Sequence, residues 1–170
     1  MSEAFLVVDH LKLSYEGLFN AAELYNLIAQ FFYTKAWDWR ESINMEQITP
    51  SGKQIHLVLQ PWKSATDFYK IIIKMTINMI DIKDVDVEQP GGPLRLNQGT
   101  IRMTFDGIVL ADRNDHWTKE PFSWFFTVLS QKYFFRDHFR KMEVWVTGDL
   151  EDLHGRIKSY LNTFKYTYQS

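Results

Sequence analysis

The sequence predicts an α+β domain in which a curved antiparallel sheet packs against C-terminal helices. Three observations predict it: a strand and a helix open the chain, period-two segments fill residues 41 to 112, and helical periodicity returns after Pro121. In residues 5 to 15, Phe5, Val7, Leu11, Leu13 and Tyr15 alternate along one side, broken at Asp9, which is the pattern of a half-buried strand. After Gly17, Asn20 is suited to cap a helix whose Ala21, Leu24, Leu27, Ile28, Phe31 and Phe32 recur at three-to-four spacing.

Four further strands are expected at about residues 42–49, 54–60, 68–83 and 100–111. They are separated by turn chemistry in TPSGKQ, PWKSATD and EQPGGPLRLNQG. In the third of these, Ile71, Ile73, Met75, Ile77 and Met79 share a face opposite Lys74, Thr76 and Asn78, and a slip at Ile80 and Ile82 predicts a bulge. In the fourth, Ile101, Met103 and Phe105 oppose Arg102 and Thr104, with a second slip expected at Asp106–Gly107. Two long neighbouring strands with one apolar face need a helical cover. Pro121 opens a helix to about residue 141, MEVWV at 142–146 reads as a short strand, and Asp149 is expected to cap a last helix. Leu150, Leu153, Ile157, Leu161 and Phe164 share a face of that helix.

The order of strand, helix, antiparallel strands and long C-terminal helix resembles the helix-grip fold of the START and Bet v 1 superfamily. The resemblance covers most of the chain and rests on element order. It implies a sheet wrapped around a helix, with a pocket for a hydrophobic small molecule or lipid; it carries no catalytic residue over. The chain departs from that pattern in lacking the usual Gly-rich loop, in its shorter run of strands, and in two C-terminal helices where the fold has one.

At 170 residues the chain reads as a single domain spanning 1–170, long enough to bury roughly 70% of its unfolded surface. Its net charge of −2 argues against nucleic acid as a partner, because phosphate contacts need a basic surface. Without cysteine there is no disulfide, thiolate metal site or thiol nucleophile. No run of about 18 apolar residues and no basic leader occurs, so a cytoplasmic, non-spanning protein is expected. Aromatic residues make up 16% of the chain, so large rings must fill a thick core, line a cavity or sit at an interface, and composition does not choose among these.

No motif assigns a catalytic residue, a cofactor or a resident metal. The five histidines have no metal-ligand spacing; His56 faces away from Ile55 and Leu57 and could pair with Lys74, Asn78 or Asp106. Asp84, Asp86 and Glu88 would put three carboxylates on one strand face, a pattern shared by cation sites and solvated sheet edges. Residues 120–142 hold eight aromatic and four basic residues. There, Phe122, Phe125, Phe126, Leu129 and Tyr133 share a helical face, and Lys132, Arg136 and Arg140 follow in a row. Such a helix could cover core and let its cations reach water, meet a peripheral membrane surface, or wall a pocket with an anionic mouth.

The expectation is therefore a binding domain for an apolar small molecule or lipid. Met75, Met79, Met103, Phe105, Phe126 and Tyr133 would line its cavity, and Lys132, Arg136 and Arg140 would meet an anionic head group. The alternatives are a protein-interaction module, homodimeric or otherwise, and an enzyme of the cyclase or isomerase type with dispersed residues.

Overall fold

The computed structural model describes residues 2–66, 69–112 and 135–168. The elements are β1 (Ser2–Phe19), α1 (Ala21–Thr34), β2 (Glu41–Thr49), β3 (Gly52–Leu59), β4 (Trp62–Ser64), β5 (Tyr69–Gln89), β6 (Gly92–Asp112) and α2 (Phe135–Tyr168). The strands form one open antiparallel sheet in the order β1-β6-β5-β3-β2, with β4 paired to β5. This is the α+β architecture expected, a sheet with a C-terminal helix packed on one face.

The β5–β6 hairpin carries the core because its alternation is uninterrupted where the helix lies. Ile71, Ile73, Met75 and Ile77 on β5 and Ile101 and Phe105 on β6 are all fully buried, and Met103 nearly so, while Lys74, Thr76 and Arg102 turn to the other face. Removing one such side chain from water is worth about 1.5–3 kcal/mol. From above, Val146, Leu150, Leu153, Ile157 and Leu161 of α2 meet this face, spaced at helical intervals and themselves fully buried.

Asn20 caps α1, its side chain accepting from the Glu23 amide at 3.2 Å. The helix ends where Ala36 takes a left-handed φ of 59° and the Trp37 amide donates back to the Phe32 carbonyl at 2.9 Å.

The bulge expected near Ile80 is present. The β5–β6 register shifts between Ile80 and Lys83, and Asp81 has φ 55°. The Asp81 carboxylate accepts from Ser51 Oγ (2.8 Å) and Gln54 Nε2 (2.6 Å), and these hydrogen bonds hold its pKa below the usual value. Gly52 makes the approach possible. It has φ 142°, and a Cβ there would stand 2.8 Å from the Asp81 carbonyl carbon.

Four expectations need correction. Residues 88–99 are not a loop, because β5 and β6 continue to a turn at Pro90–Gly91; Gly91 supplies the positive φ (109°) that a tight turn requires. The PWKSATD segment contains β4, with Trp62 opposite Ile72. The slip at Asp106–Gly107 belongs to β1: β6 alternates without a break from Ile101 to Ala111, whereas β1 inserts Asp9 and His10 between Val8, opposite Gly107, and Leu11, opposite Phe105. Residues 142–146 are helical and Asp149 caps nothing, since both lie inside the continuous helix α2. Residues 121–134 of the expected aromatic helix lie outside the described residues.

Candidate functional site

Met75, Met79, Met103 and Phe105 do come together on the inner sheet face, Met75 opposite Phe105 and Met103 opposite Ile77. Their exposures are 0, 3, 2 and 0%, so all four are packed in the core. The His154 ring meets that of Phe105 edge-on, with centroids 5.7 Å apart. Phe126, Lys132 and Tyr133 lie outside the described residues. Of the remaining cations in the predicted row, Arg136 falls in the first turn of α2 and Arg140 is exposed one turn later.

His56 pairs with Asn78, as one of the expected alternatives has it, with Nδ1 and Oδ1 2.5 Å apart. The Asp84 carboxylate accepts from Arg95 and Asn97 at 2.9 Å each across the β5–β6 hairpin, and Asp86 and Glu88 of the same row are exposed. At the β1 bulge, His10 with φ 54° brings its ring against Asp9 and within 3.2 Å of Asp106. One Asp106 oxygen also accepts the His10 amide at 2.9 Å, and Lys74 stands opposite on β5. The cluster closes the bulge by internal hydrogen bonds.

Two features were not singled out in the sequence. The first is a polar clasp between α1 and α2. Buried Asp149 accepts from Trp37 Nε1 (3.1 Å) and Lys35 Nζ (2.9 Å); Lys35 also reaches Asp152 (3.2 Å), which pairs with Arg156 (3.0 Å). The hydrogen bond to Asp149 leads in raising the Lys35 pKa, and the bond from Arg156 leads in lowering that of Asp152. Both cations lie over the Phe31 ring, at 4.9 and 5.2 Å from its centre. The clasp borders an open groove of about 750 Å³ between the helices, with Leu27, Phe31 and Gly155 on its walls. Each cation is already satisfied by a carboxylate, which suits the clasp to fixing α1 against α2. Its signal in the sequence was an aspartate at a position of the apolar face, between Val146 and Leu153.

The second feature is β2. From Glu41 to Ile48 every residue is exposed, so both faces of the strand meet water. Ile43, Met45 and Ile48 are 39, 63 and 81% exposed. On one side β2 pairs with β3; among the described residues its other edge pairs with nothing. The backbone groups that β2 turns away from β3, beside exposed apolar side chains, form a template for another strand.

No family model, no curated protein and no solved structure matches the chain. Among the described residues no helix is long and apolar enough to cross a membrane.

Proposed function

We propose that the chain is a protein-interaction module of helix-grip-like build whose working surface is the free edge of β2. The observation that carries this reading is the contrast in exposure between the two sets of apolar side chains. Four of the six expected to line a ligand cavity, Met75, Met79, Met103 and Phe105, are buried at 0–3%, so a ligand among these four would have to displace packed side chains. Met45 and Ile48 stand open at 63 and 81% on a strand with a free edge. Adding a strand there would satisfy backbone donors and acceptors by main-chain pairing and give the exposed side chains neighbours.

Native mass spectrometry of the purified protein tests this against the apolar-ligand reading. The expected spectrum contains the chain mass, its multiples or complexes with another polypeptide, with no small adduct. A retained adduct of a few hundred daltons that disappears on organic extraction would overturn the proposal in favour of a carrier of lipid or another apolar molecule.

A further inference from the structure

The residues of β2, Glu-Ser-Ile-Asn-Met-Glu-Gln-Ile-Thr, restrict what can pair with its outer edge. Exposed edges are commonly blunted by Lys, Pro, a bulge or a covering element. Over Ile43–Thr49 the pairing with β3 is free of register shifts, and the nine residues contain no Lys, Arg or Pro. Their only charges are Glu41 and Glu46.

We infer that the strand completing this edge is β2 of a second copy of the chain, antiparallel about a two-fold axis at Met45. The inference rests on the interaction reading above and names its partner. In that arrangement Glu41 faces Thr49, Ser42 faces Ile48, Ile43 faces Gln47, Asn44 faces Glu46, and Met45 faces Met45 of the other copy. Ile43–Gln47 pair in unbroken register, the β2–β3 register shift between Glu41 and Ile43 falls at the end of the seam, and no carboxylate is directly opposite another. Glu46, which pairs with Lys53 at 2.9 Å, faces Asn44, whose amide donates to Glu41 of its own strand at 2.9 Å, and the pattern occurs twice because the interface is isologous.

The neighbouring solutions are worse for stated reasons. An axis moved to Glu46 sets the two Glu46 carboxylates opposite each other, a destabilising like-charge pair. Moved to Asn44, the axis pairs only Glu41–Gln47 and leaves two residues of each edge unmatched. A parallel arrangement in register places each glutamate beside its own copy. The antiparallel arrangement joins two open sheets into one continuous sheet and contributes Ile43 and Met45 from both copies on one face of the junction.

The test uses light scattering after size exclusion, over a range of protein concentrations, together with cysteine trapping. Wild-type protein is expected at twice the chain mass, falling to the monomer on dilution. Asn44→Glu faces Glu46 of the other copy at two places and should weaken association about tenfold. Asn44→Lys should strengthen it. Because the chain has no native cysteine, Met45→Cys introduces a single thiol, which should form an intermolecular disulfide readily under mild oxidation. Ile43→Cys, opposite Gln47, should cross-link far more slowly.

Wild-type protein that remains monomeric at every concentration would overturn the second copy as partner. It would leave the interaction reading to be judged by the adduct in native mass spectrometry. A dimer indifferent to both Asn44 substitutions, or one that traps as well at position 43 as at 45, would overturn the β2 interface and its register. Circular dichroism of each variant confirms that a lost dimer is not a lost fold, which is expected since Asn44 and Met45 are exposed.

Discussion

The two edges of this sheet, β1 and β2, are both strands at the end of a hydrogen-bonded ladder, yet among the described residues only one is closed off. β1 bends at two register shifts, where His10 takes φ 54° and its amide is held by the Asp106 carboxylate. α2 also lies against it: the Phe5 and Phe139 rings meet edge-on at 5.2 Å, and Gly107 gives Val146 space beside Val8. A Cβ at Gly107 would stand 2.7 Å from Val146 Cγ1, so the missing side chain allows the helix to sit low over the β1–β6 seam. Among the described residues β2 has neither device along Ile43–Thr49. Two strands with similar alternation thus differ because an edge is made safe or available by its bulges and by what covers it.

The largest test of that difference compares two isoleucines. Ile157 of α2 is fully buried against the sheet, and Ile48 of β2 is 81% exposed. Ile157→Ala should cost about 2–5 kcal/mol in chemical denaturation, because it removes buried volume that the neighbouring strands cannot refill. Ile48→Ala should stay within about 0.5 kcal/mol under dilute, monomeric conditions. Equal losses would mean that β2 is covered in solution and would break the comparison.

A smaller effect is expected at the clasp. Asp149→Ala leaves the Trp37 indole N–H without its acceptor and removes the primary partner of Lys35, at a cost of about 1–3 kcal/mol. Asp149→Asn retains an acceptor for Trp37 and should cost less. If the two variants lose the same stability, the Lys35 ion pair and not the indole bond holds the helices together.

The sheet was legible in the sequence where one face packs against a helix, because burial there enforces alternation: residues 71–79 and 101–105 read correctly, as did the bulge after Ile80. The Asn20 cap was equally local. What misled was chemistry that a wider context overrides. The twelve residues 88–99 read as the separation between two strands, yet the turn takes only Pro90 and Gly91, and pairing resumes at once with Gly92 opposite Gln89 and Pro93 opposite Glu88. Val144, Trp145 and Val146 favour a strand by propensity, but Met142, Val146 and Leu150 place one apolar stripe over the sheet, and packing wins. Gly148 costs the helix about 1 kcal/mol relative to Ala and still sits inside it. The character of β2 was not legible, because Ile43 and Met45 alternate as they would in a half-buried strand. Only the strand order shows that β2 is the outermost strand among the described residues.

The smallest expected effect is on the acid side and separates the clasp from the open edge. Asp152 has its pKa lowered, first by Arg156 and then by Lys35, against a burial cost that acts the other way. A carboxyl whose folded pKa lies below its unfolded value contributes stability above the unfolded value, about 3.9 for Asp, and loses it as pH falls through the folded one. Lys35, whose pKa is raised, stays charged throughout that window, so the loss follows protonation of Asp152. The Asp152 side chain is 38% exposed, which leaves the pair screened by water and salt and keeps the effect modest. Melting temperatures of wild type and Asp152→Asn should therefore differ slightly at pH 7 and converge as pH drops below the ordinary carboxylate range. A gap that persists to the acid end would show that Asp152 acts through packing and not charge. The clasp joins α1 to α2 and touches no residue of β2, so at pH 7, with the fold intact, Asp152→Asn should leave association through β2 unchanged. A change in dimerisation with this variant would tie the two regions together and break their separation.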